Sequence, residues 1–179
     1  MILGGASCVW DDVAAWETLY GKQWDGLVIA ANDVGAHWPR ELHHWVSLHP
    51  LAFKRWQALR TEQNLSDGKY VTWGKDQDLP TLVTDQVRIP WVGGSSGMFA
   101  IQVAAELECT RTILCGVPMT RTAHFAQTKE SFAPEWHQAS AHWRVWPRHA
   151  WRMLGWVKSM SGRTQELLGV PTLSWLLEA

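Results

Sequence analysis

Gly93-Gly94-Ser95-Ser96-Gly97 sits between an apolar lead-in and the amphipathic run MFAIQVAAEL. Two chemistries need small, hydroxyl-bearing residues at such a junction of strand and helix: a serine nucleophile on a sharp turn, or a cradle of backbone amides for phosphate. The stretch matches GxSxG with Ser95 as nucleophile. In hydrolase chain order an acid and then a histidine must follow. No aspartate follows Asp85, so Glu130 or Glu135 with His137, His142 or His149 would have to serve. The phosphate reading needs no triad. The Ser95 and Ser96 hydroxyls, with the Gly97 and Met98 amides, could hold an anion at a helix N-terminus. The chain has no GxxxxGK[ST] loop, and its first turn reads GGAS rather than GxGxxG. Neither P-loop nor nicotinamide-type binding is therefore indicated.

Two other apolar runs end in small polar residues: Gly4-Gly5-Ala6-Ser7 and Asn32-Asp33. Glycine lets a ligand approach the backbone, and the helices that follow offer unpaired N–H groups. His124, in RTAHF just beyond the apolar run TILCGVPM, is placed for general base work. Arg121 and Arg163 are candidate phosphate partners. His43, His44 and His49 cluster on or beside one run, but a metal there would need a further ligand from elsewhere. No metal site is assigned, and surface or hydrogen-bonded histidines are the plainer reading.

The elements that must position these residues follow from periodicity. Met1 to Leu3 reads as a very short strand. A helix follows, with Val9, Val13 and Trp16 on one face, Ser7 as its cap and Gly21 as its stop. WDGLVIAAND reads as a buried parallel strand with a polar end, and residues 42–50 as a third strand. Pro50 opens a helix that carries Phe53, Trp56 and Leu59 inward. Short extended pieces are expected around Tyr70–Trp73 and Leu82–Arg88. The GGSSG helix should bury Met98, Ile101, Ala105 and Leu107, and RTILCGVPM forms the next strand. Strand–helix alternation over about residues 1–120 argues for an α/β fold: one Rossmann-like domain, a mainly parallel sheet flanked by helices. Residues 121–179 read as a loop and helical extension. Ligands of such sheets bind beyond the carboxyl ends of the strands, where the order reverses.

A length of 179 residues suits one domain. The net charge is -1, and no lysine–arginine block offers an electrostatic footprint for nucleic acid or an anionic membrane. No apolar run approaches the roughly 18 residues of a membrane span. The N-terminus lacks the charge and apolar pattern of a signal peptide. Three cysteines without CxxC spacing read as reduced, mostly buried residues of a cytoplasmic protein. Fourteen tryptophans stand out against two tyrosines and four phenylalanines. Most should build the core, with a few lining a cleft for a planar ligand or a protein partner.

Three features together resemble a known bacterial group: the GGAS turn after strand one, the Asn-bearing end of strand two, and an SSG–helix–strand unit ending ILCGVPM. The group comprises the family 42 sialyltransferases and the related motility-accessory and hydroxymethylpterin pyrophosphokinase-like proteins. Their pieces run roughly G-N-G-P-S, a strand ending in asparagine, [TS]-S-G, a helix, and a strand ending in a G-[VI]-D-like turn. The resemblance spans about residues 1–120 and implies a Rossmann-like sheet binding a cytidine or similar nucleotide, or a nucleotide sugar. It implies that Gly4, Gly5 and Ser7 approach phosphate or ribose, that Asn32 meets the nucleotide, and that Ser95, Ser96 and Gly97 complete the cradle. It also implies a histidine base acting on an acceptor hydroxyl, His124 first and His137 second. The sequence departs from the group at GGAS, at Pro118, where an acidic residue is common, and in the phosphate-binding tyrosines, for which Tyr20 and Tyr70 are no match. A descendant that binds without catalysing would keep the sheet and lose such residues. The tail SMSGRTQELLGVPT resembles small bacteriophage-encoded proteins, which would place the chain in a host cytoplasm or a virion.

The leading expectation is a nucleotide- or nucleotide-sugar-binding, transferase-like protein. A second is a non-enzymatic interaction or virion-associated protein. It would use Trp136, Trp143, Trp146, Trp151 and Trp156, with Arg144, Arg148 and Arg152, against a protein partner or a second copy. The GxSxG hydrolase is the third.

Overall fold

Alternation with a period of two splits each strand between two cores, so both faces of the sheet must be covered. The computed structural model describes residues 1–65, 69–75, 86–89, 93–126 and 142–178. Among these, seven strands form one sheet: β1 Ile2–Leu3, β2 Ile29–Ala31, β3 His44–Ser47, β4 Val71–Lys75, β5 Gln86–Ile89, β6 Thr112–Cys115 and β7 Val157–Ser159. Every pairing is parallel, in the order β5-β4-β3-β2-β1-β6-β7. The helices are α1 Val9–Tyr20, α2 Val34–His37, α3 Phe53–Glu62, α4 Ser96–Glu106, α5 Trp146–Met153, α6 Gly162–Leu168 and α7 Leu173–Leu177. The fold is α/β and Rossmann-like, as the strand–helix alternation predicts.

Ile2, Ile29, Ala31, Val46 and Leu114 face one core, shared with Phe99, Ile101 and Val103 of α4 and Trp146 and Met153 of α5. Leu3, Ala30, Trp45, Ile113 and Cys115 face the other, against Val13 and Trp16 of α1, Val34 of α2 and Trp56 of α3. Successive strands step outward from β1 to β5. The chain then returns across the sheet through α4 to place β6 on the free side of β1. The order therefore reverses beside β1, and there the loops part to leave a crevice.

Local chemistry explains most boundaries. Gly21 ends α1 in the left-handed region at φ 80°, its N–H on the Glu17 carbonyl. Ser7 is not the cap of α1. The helix starts one residue later than expected: its first bond runs from the Asp12 N–H to the Cys8 carbonyl, which puts Cys8 at the N-cap position. Ser7 instead pairs through its N–H with the Ala123 carbonyl. Pro50 opens a 3-10 turn that leads into α3, with Phe53 and Trp56 buried. In α4, Met98 and Ile101 are buried as their spacing predicts, but Ala105 is exposed and Leu107 half-buried. The helix is enclosed around its first two turns and emerges from the core at its end. The segment expected to be loop and helix alone also supplies β7, whose three residues are too few to show a period. No helix among the described residues is long and apolar enough to cross a membrane.

Tryptophan fills this core: Trp16, Trp38, Trp45, Trp56, Trp73 and Trp146 are all buried. Trp91 and Trp136 lie outside the described residues. A buried arginine serves the same end. Arg60 of α3, 2 % exposed, donates to the carbonyls of Gly35, Trp38 and Arg40 and so ties α3 to the end of α2. Replacing it by methionine strips these carbonyls of a charged donor. The expected cost is about 2–4 kcal/mol, read as a lower urea midpoint at unchanged slope.

Candidate functional site

Above the carboxyl ends of β1, β2, β3 and β6 lies a cavity of about 370 Å³. It is lined by Gly4 and Gly5, by Asn32 and Asp33, by Ser95, Ser96 and Gly97, and by His124. The structure thus brings together seven of the eight site residues read from the sequence. Ser7 is the exception: it is exposed and not among the lining residues. Its position one residue past the turn, with its amide bonded to Ala123, directs it away from the crevice.

Close backbone approach sets the floor. A Cβ on Gly116 would fall 2.6 Å from the Gly4 carbonyl oxygen, and one on Gly4 would meet the Gly116 carbonyl in turn. The two strand ends touch through their backbones, which only glycine permits. The Gly116 N–H donates to the carboxylate of Asp12 at 2.8 Å, and the Ser161 hydroxyl donates to the same oxygen at 2.7 Å. Asp12 was not among the residues singled out from the sequence. Its signal was present: it shares the α1 face with Val9, Val13 and Trp16, an acid on an apolar stripe.

Asn32 joins three elements. It adopts φ 60°, a left-handed conformation that asparagine tolerates. Its side-chain oxygen accepts from the Ser47 hydroxyl and its amide donates to Ser96 Oγ, both at 3.0 Å. Its carbonyl accepts from the Trp45 indole. Ser95 is the N-cap of α4, its Oγ accepting from the Met98 N–H at 3.4 Å, with ordinary extended backbone at φ -94° and ψ 171°. The positive φ values of this turn fall on Gly93 and Gly94. A nucleophile elbow needs its strain at the serine, so this geometry does not make Ser95 a hydrolase nucleophile. Gly97 packs on Val117, whose Cγ1 would lie 2.6 Å from an added Cβ.

His124 Nε2 lies 3.1 Å from Asp33 Oδ1, and its Nδ1 accepts from the Ala126 N–H at 3.3 Å. The ring crosses the β1 turn at Gly5, where a Cβ would stand 2.6 Å from Nε2. His49 and His142 also line the cavity, and Ala31, Leu48, Val117, Pro118 and Met119 form an apolar wall. Trp16, Trp38, Trp45 and Trp146 are used in the cores, and Trp156 lines a separate pocket between α4 and α5; among the described residues no tryptophan lines the cavity. Nor do Arg121 or Arg163 line it, and Arg163 lies over the Trp143 ring, 5.7 Å from its centroid. Glu130, Glu135 and His137 lie outside the described residues. His149 borders a separate apolar pocket of about 170 Å³ between α4 and α5.

The strand histidines are hydrogen-bond acceptors within the fold. His43 Nδ1 accepts from the Val28 N–H at 3.2 Å and His44 Nδ1 from the Trp73 indole at 3.0 Å. Among the described residues no group of three His, Cys, Asp or Glu side chains is placed to hold a metal ion. All three cysteines are free thiols. Burial, with Asp12 adding to it, pushes the Cys8 thiol up to about 11, so it is protonated and unreactive near neutral pH.

Gly5→Ala is expected to push the His124 ring off Asp33 and to cost about 1–3 kcal/mol. The checks are the urea midpoint and loss of the His124–Asp33 contact in a crystal structure. Burial, then His43, holds His44 below its ordinary 6.5. The folded chain thus binds fewer protons there than the unfolded chain. That stability is complete above about pH 6.5 and declines as pH falls below it. His44→Gln keeps an acceptor for Trp73 and should flatten this part of the acid profile, measured by melting from pH 7.5 to 5. No family model, curated protein or solved structure matches this chain.

Proposed function

We propose that this chain is a nucleotide- or nucleotide-sugar-binding, transferase-like protein whose ligand lies in the crevice above β1, β2 and β6. One observation carries the reading. Three small-residue turns far apart in sequence (4–5, 32–33 and 95–97) meet around one cavity at the point where the strand order reverses. The eleven-residue α4 opens on that cavity. Contrary to expectation the Met98 N–H is taken by Ser95 Oγ, so the anion-facing amides are those of Ser96 and Gly97, which have no carbonyl four residues earlier within the helix. Together with the helix dipole they favour an anionic group there. The apolar wall from Leu48 to Met119 suits the uncharged part of such a ligand, and the volume lies within the usual range for small-molecule sites.

The resemblance to the family 42 sialyltransferase group points the same way and suggests cytidine as the base. Its missing tyrosines and altered turns favour binding over transfer, the behaviour of a catalytically silent, phage-encoded relative. The protein-partner reading has a smaller footing. Of its tryptophans, Trp146 is core and Trp143 and Trp156 are half-buried, while Trp151 is 68 % exposed beside Arg148 and Arg152 on α5.

Thermal unfolding with CMP, CDP, UDP and GDP tests the leading reading. A bound nucleotide at one hundred times its Kd should stabilise the fold by about 2.7 kcal/mol. Ser96→Ala should weaken that ligand about tenfold while still unfolding cooperatively. If no nucleotide shifts the transition, the reading fails.

A further inference from the structure

The geometry points to Asp33, and not His124, as the group that accepts from a hydroxyl of the cavity's ligand, with His124 as its positioning residue. This inference rests on the reading of the cavity as a ligand site. A neutral imidazole carries one N–H and one bare nitrogen. The Ala126 N–H, 3.3 Å from His124 Nδ1, can only donate, so Nδ1 must be the bare nitrogen. The proton then belongs to Nε2, which donates it to Asp33 Oδ1 at 3.1 Å. Both ring nitrogens are committed, and neither keeps a lone pair for a ligand.

This is the reverse of a catalytic triad. There a carboxylate holds Nδ1–H and the bare Nε2 faces the reacting hydroxyl. Here the carboxylate holds Nε2–H and a backbone amide closes the other side.

The backbone that carries the ring is held in place. Ala6 and His124 form an antiparallel bridge, flanked by the bonds from Ser7 N to the Ala123 carbonyl and from Phe125 N to the Gly5 carbonyl. The Phe125 ring stacks at an angle on His124, 4.5 Å between centroids. Turning the imidazole over would put carbon where each nitrogen now bonds.

Asp33 is left as the acceptor. A carboxylate offers about four lone-pair sites, and His124 uses one. Its side chain is 29 % exposed and it lines the cavity at the end of β2. The cavity is therefore two-ended, with amides at the α4 N-terminus for an anionic group and a carboxylate for a hydroxyl. A hydroxyl-bearing anion, such as a nucleoside or sugar phosphate, satisfies both ends.

Long-range proton–nitrogen spectra of the ¹⁵N-histidine-labelled protein at pH 8 read the tautomer directly, with His124→Gln identifying the signal. A proton on Nε2 and a bare Nδ1 are expected. A proton on Nδ1, or averaging between the two forms, overturns the inference. CMP as probe tests the roles. Glutamine places an N–H near the position of Nε2, so His124→Gln should hold the CMP Kd within about threefold, whereas Asp33→Asn should weaken it about tenfold or more. Equal loss in both variants, or unchanged binding in Asp33→Asn, also overturns it. If no nucleotide binds, the ligand reading fails and Asp33's role fails with it. A wrong tautomer alongside intact CMP binding removes this inference alone.

Discussion

The carboxamide of Asn32 sets where the crevice can open. Oxygen and nitrogen of that one group accept from Ser47 on β3 and donate to Ser96 on α4, while the residue itself turns through the left-handed region at the end of β2. Ser47 in turn accepts from the His49 N–H, which carries the chain into the next turn. A side chain lacking either function would leave one of these hydroxyls poorly matched. The consequence is positional. α4 follows β5 at the far edge of the sheet, yet its first residue is pinned over β2, and its N-terminus opens on the cavity.

Around that point the structure separates two kinds of residue. Large aromatic side chains occupy the cores on both faces, where Trp45 packs against Phe53, Trp56 and Tyr70 and Trp16 against Tyr20 and Trp24. Glycine, serine and short polar residues occupy the strand ends, where backbones must pass within contact distance. The parallel sheet demands this division. Its two faces need bulk to exclude water, and the ends of β1 and β6 have no room for it. Asp12 and Arg60 reinforce the same frame from within, each placing a charge against backbone groups that bury too deeply for water.

Much of this was legible in the sequence. The apolar runs ending in GGAS, Asn-Asp and GGSSG marked strand ends, and the helical stripe of Val9, Val13 and Trp16 marked a covering helix. These are short-range signals, set by side-chain size and by periods of two and 3.6 residues. What they could not carry was any property that depends on a partner distant in the chain. Ser7 looks like a helix cap, yet the first helical bond runs to the Cys8 carbonyl and Ser7 pairs instead with Ala123. Asp12 looks like a first-turn acid until Gly116 and Ser161 surround it. Ala105 has the right spacing for burial, but α4 has left the core by then.

His124 shows the division most clearly. By itself the sequence determined that a histidine stands just past an apolar strand, where the reactive ends of such sheets gather, and that small residues would share that edge. Only the tertiary structure decided what the histidine can do. The proton of an imidazole sits on whichever nitrogen does not already face a donor. Ala126 and Asp33, from two different turns, determine that choice, and Gly5 leaves the ring room to stand between them.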